Sequence, residues 1–70
     1  MTRAEQIAHD VIHGNIDSQL ATIYSTNGVN ALFMGGNLVM NYYEQTDTFK
    51  VLKTDSSTIN ETVECIVKYM

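Results

Sequence analysis

Apolar positions recur along this chain with two different periods, and the changes of period divide it into elements. Ala4, Ile7, Ala8, Val11 and Ile12 follow the i, i+3, i+4 spacing of one helical face, behind a Thr2-x-x-Glu5 capping box, and Gly14 closes that helix near His13. Leu20, Ile23 and Tyr24 also share a helical face, with Asn15 or Asp17 as a cap and Asn27-Gly28 as a left-handed stop, so the pattern predicts a second helix. The competing assignment is a strand from Gln19 to Ser25, because Thr22, Ile23 and Tyr24 are strand formers.

From Val29 the pattern is that of a sheet. Val29 to Met34 reads as a strand, Gly35-Gly36-Asn37 as a tight turn suited to positive φ, and Leu38 to Tyr43 as the antiparallel partner. The polar loop Glu44 to Thr48 leads to a third strand, Phe49 to Thr54. A second capping box, Thr58 with Glu61, opens a final helix whose Ile59, Val63, Ile66, Val67 and Met70 share one side. The expected fold is therefore α+β: two N-terminal helices, a three-stranded antiparallel meander and a C-terminal helix packed on one sheet face, in the order ααβββα.

Length sharpens this picture. Seventy residues make a single domain, residues 1–70, that buries only about 60% of its unfolded surface. The core must be thin. One cysteine, Cys65, allows no internal disulfide, so stability rests on packing or on a second copy of the chain, and homodimerisation enters as an expectation. A lone cysteine also suits a reducing, cytoplasmic home, which would be the host cytoplasm for a viral protein. No apolar run approaches a membrane span, and the N-terminus lacks signal-peptide order.

Charge excludes more than it assigns. From Ala4 to Phe49 there is no Lys or Arg, while Glu5, Asp10, Asp17, Glu44 and Asp47 all fall within that stretch. Such a surface lacks the cationic footprint that holds nucleic-acid phosphates or anionic lipid, so the expected partner is a protein with a basic patch. The net charge of −4 is too sparse to imitate a nucleic-acid duplex. Asp17, Glu44 and Asp47, with Tyr42 and Tyr43, are the candidate partner-binding residues. Neighbours on a strand face opposite ways, so one tyrosine of the pair enters the core and the other is free to anchor a partner.

Candidate chemistry is limited. His9-Asp10-Val11-Ile12-His13 resembles the H-E-x-x-H zinc helix over five residues, with two imidazoles four apart. Asp10 is one methylene shorter than the Glu of that motif, and Ile16 stands where the metzincin extension has Gly. A metal-binding protein or small metal-dependent hydrolase built on this helix is the alternative to a non-catalytic reading. Cys65 lies within an apolar run and reads as a small buried hydrophobe, not a nucleophile. No cofactor is expected. The sequence thus points to a small acidic interaction module, an inhibitor or modulator of the kind viruses and mobile elements direct at host nucleic-acid-handling proteins.

Overall fold

The computed structural model describes residues 1–70. Helix α1 (Arg3–Ile12) is followed by strands β1 (Thr22–Thr26), β2 (Val29–Met34), β3 (Asn37–Tyr43) and β4 (Thr48–Val51), and helix α2 (Ser57–Val67) ends the chain. The strands form one antiparallel sheet in sequence order, β1-β2-β3-β4. The ααβββα expectation is corrected: there is one N-terminal helix, and the sheet has four strands.

The difference lies in Asn27-Gly28. Both residues have positive φ, 51° and 78°. A left-handed residue can end a helix, but two in succession satisfy a type I′ hairpin turn. Here they join β1 to β2, with Thr26 opposite Val29. The Leu20, Ile23, Tyr24 face therefore belongs to turns and an edge strand, and the strand formers Thr22, Ile23 and Tyr24 decide the local state.

The remaining boundaries follow local hydrogen bonding. Thr2 caps α1, its hydroxyl accepting from the Glu5 amide at 3.1 Å. The cap of α2 is Ser56, whose Oγ accepts from the Ile59 amide at 3.2 Å, so Thr58 and Glu61 lie inside the helix and form no capping box. Strand β4 stops at Val51, short of Thr54, because the Thr54 amide and carbonyl are taken by the Asn60 side chain at 2.9 and 3.0 Å. Gly35 and Gly36 make the β2–β3 turn, again with positive φ.

Both helices lie on one side of the sheet. The core joins Ile7, Ala8 and Val11 of α1 to Ile23, Leu32, Val39, Met40 and Tyr42 of the sheet and Val63 and Ile66 of α2. Strand β4 contributes none of these residues. A bulge between Leu32 and Phe33 of β2 and Met40 and Leu38 of β3 lets Val39 and Met40 both point inward, which fills the core at that level with two side chains from one strand. No helix is long and apolar enough to cross a membrane.

Candidate functional site

Register fixes which side chains share a face. Tyr42 lies opposite Asn30 and Phe49, and Met40 opposite Leu32 and Val51, so these residues look toward the helices. Tyr43, Asn41 and Leu38 of β3, Val29, Ala31 and Phe33 of β2, Tyr24 of β1 and Lys50 of β4 look the other way. That outer face carries no helix. Its apolar centre is aromatic: the Tyr24 and Phe33 rings meet edge to face with centroids 5.4 Å apart, and Tyr24 is 62% exposed.

Tyr42 is the inward member of the tyrosine pair, 6% exposed, and Tyr43 the outward one. The Tyr42 hydroxyl donates to Asp47 Oδ1 at 2.6 Å. That hydrogen bond, with burial and the carboxylates of Asp47 and Glu44, raises the Tyr42 pKa above 10.0. Asp47 holds a positive φ of 52° in the β3–β4 turn, which the bond to Tyr42 pins in place. Glu44 has its own structural duties. Its amide donates to the Gly28 carbonyl at 2.9 Å, and its Oε2 accepts from Asn30 Nδ2 at 3.2 Å. Asp17, on the loop after α1, is exposed, and its carboxylate makes no hydrogen bond. Of the five candidate residues, Tyr43 and Asp17 are thus free at the surface, Glu44 and Asp47 are exposed but engaged, and Tyr42 is internal.

Two polar clusters whose members the sequence does not bring together organise this end of the molecule. Asn30 is fully buried on β2; its Nδ2 also donates to the Val11 carbonyl at 2.8 Å, and its Oδ1 accepts from Ser25 Oγ at 2.6 Å. One amide thereby ties the last turn of α1 to β1 and to the β3–β4 turn. The signal was a lone Asn among apolar strand residues, which alternation places on the inner face. Asp10 is the second centre, accepting from Ser18 Oγ at 2.7 Å, Gln6 Nε2 at 3.0 Å and Asn15 Nδ2 at 3.2 Å. Burial opposes its charge, but the bonds from Ser18, Asn15 and Gln6, with His9, outweigh burial and hold its carboxyl below the usual 3.8.

The His9-Asp10-x-x-His13 helix separates under this geometry. Asp10 turns inward and accepts three side-chain hydrogen bonds. His9 and His13 stay outside, stacked with centroids 4.1 Å apart, and the His13 Nδ1 lies 2.9 Å from the His9 carbonyl. No group of three or more His, Cys, Asp or Glu side chains converges to hold a metal ion. Cys65 is exposed on α2 and does not join the buried apolar side formed by Val63 and Ile66. A shallow, open depression of about 590 Å³ lies between the start of β3 and the β4–α2 connection, lined by Asn37, Leu38, Leu52, Lys53, Thr54, Asp55 and Ser56.

The chain matches no family model, and no curated protein or solved structure is significantly similar to it.

Proposed function

We propose that this protein is a small acidic, non-catalytic interaction module, an inhibitor or modulator of virus or mobile-element type, that binds a basic surface of a host nucleic-acid-handling protein. The observation that carries the reading is the open outer face of the sheet, where Tyr24, Phe33 and Tyr43 offer aromatic surface without helical cover. Aromatic side chains are the residues that anchor protein interfaces, and a single layer of helices leaves this side of the sheet for another molecule. The partner is basic because the chain that builds α1 through β3 has no cation beyond Arg3, and Asp17 extends a free carboxylate from it. Anchoring falls to the tyrosines, and steering to the carboxylates.

The test is affinity capture from host extract with the wild-type chain and with Tyr24→Ala and Tyr43→Ala, at low and at physiological salt. Both exposed tyrosines can be truncated without opening the core. A protein that is held by wild type, lost from the tyrosine variants and weakened by salt supports the reading, since screening acts within about 8 to 10 Å at these ionic strengths. Capture that is indifferent to both changes removes the open face and electrostatics from the account.

A further inference from the structure

We propose that β4 is a self-recognition edge, at which two copies of the chain pair Thr48–Val51 antiparallel about a two-fold axis through Lys50 and join their sheets into one. The helices that cover β1 to β3 stop short of this strand. Phe49 and Val51 lie on the helix side of the sheet by their pairing with Tyr42 and Met40, yet they are 36% and 39% exposed. At the opposite edge, Ile23 of β1 is already buried beneath the helices. On the helix side, β4 therefore has both an unpaired backbone and uncovered apolar side chains, whereas β1 has only the former, its exposed Tyr24 lying on the outer face.

The backbone direction fits. The Leu52 amide donates to the Val39 carbonyl at 2.9 Å, so by antiparallel alternation Lys50 and Thr48 turn their amides toward β3, while Phe49 and Val51 turn theirs outward. Pairing centred on Lys50 sets Phe49 of each copy against Val51 of the other, which satisfies all of those outward groups and stacks the two apolar side chains on the helix side.

Charge favours a second copy at this edge in particular. Asp47, Lys50, Lys53 and Asp55 cancel across the segment that contains β4, so the net charge of −4 resides in the rest of the chain and does not repel a like molecule here. Continued past the strand ends, the same register brings Asp47, whose Oδ1 accepts from its own Tyr42, toward Lys53 of the other copy, two complementary pairs that offset the one Lys50–Lys50 encounter on the outer side. This edge is distinct from the open sheet face, and the pairing stands independently of the function proposed above.

Sedimentation equilibrium up to high micromolar concentration, combined with amide exchange by NMR, tests it. The expected result is a mass approaching twice 7.8 kDa, with the Phe49 and Val51 amides gaining protection as concentration rises. Phe49→Lys should return the monomer mass, and Lys53→Glu should weaken association while Tyr24→Ala leaves it unchanged. Circular dichroism of each variant confirms that the fold is retained. A monomer at every concentration overturns the proposal. So does a dimer whose Phe49 and Val51 amides exchange freely, or one that Tyr24→Ala dissolves and Phe49→Lys does not.

Discussion

Asn30 is a single side chain on which three parts of the chain depend. Truncation to Ala would remove its hydrogen bonds to the Val11 carbonyl and the Ser25 hydroxyl, a loss of about 1 to 3 kcal/mol for the two, measurable as a lower urea midpoint. Gly14 is coupled to it. At φ +61° a methyl group there would sit 3.0 Å from Asn30 Oδ1, so Gly14→Ala meets both a conformational penalty and a clash. Gly28, at φ +78°, has nothing within 4 Å of an added methyl, and Gly28→Ala isolates the conformational cost alone, about 1 kcal/mol. Thermal melts of the two variants should differ accordingly, with Gly14→Ala the lower. Asp10 contributes to the acid side of the stability curve. A carboxyl whose folded pKa lies below its unfolded value of 3.8 contributes stability that is complete above that value and lost as pH falls through the folded one. Urea midpoints should therefore drop below about pH 4, and Asp10→Asn should flatten that fall. Tyr42 behaves oppositely, since its raised pKa favours the neutral phenol in the folded state. Its contribution is complete below pH 10.0 and fades as pH rises through the folded value, so in an ultraviolet titration one phenol should ionise late, and Asp47→Asn should bring it earlier.

At the level of elements, α2 holds the helical layer to the sheet through Val63 and Ile66. Ile66→Ala should cost on the order of 2 to 5 kcal/mol, read by urea denaturation, and an unchanged midpoint would make the helix peripheral. Elements whose signals are local were legible in the sequence: the Thr2 and Glu5 box of α1, the Gly35-Gly36 turn, the Val29–Met34 strand and the buried side of α2. Those whose signals have two structural uses were not. Asn27-Gly28 serves a helix end as well as a hairpin, and only pairing of Thr22–Thr26 with β2 distinguishes them, a long-range event that no single window contains. The cap of α2 was displaced for a related reason, because Ser56 and Thr58 are both competent hydroxyls and the Thr54–Asn60 bonds favour the earlier start. At the candidate site, sequence alternation established that Tyr42 and Tyr43 oppose each other. Which one is inward depends on the bulge at Val39, which shifts the parity of everything after it. The aromatic face of Tyr24 and Phe33 was hidden by the helical assignment of Tyr24.

As a whole, the molecule is a single helical layer on a single sheet, with only 12 of 70 residues buried. Its charges can be probed without disturbing that core only where they are free of structural duty. Asp17→Lys should slow association with a basic partner in stopped-flow or surface-based kinetics and leave the melting temperature unchanged, whereas reversal at Glu44 or Asp47 also breaks bonds to Asn30 or Tyr42. The bulge bears on the tolerance of the chain to changes in length. Removing one residue from a central strand ordinarily sends every later side chain to the wrong face. Here Val39 is the surplus residue, so its deletion restores a regular ladder with Leu38 still outward and Met40 and Tyr42 still inward. The lost side chain lowers stability, but the topology survives. Deleting Ala31 from β2, which has no surplus residue to give up, should leave no folded protein.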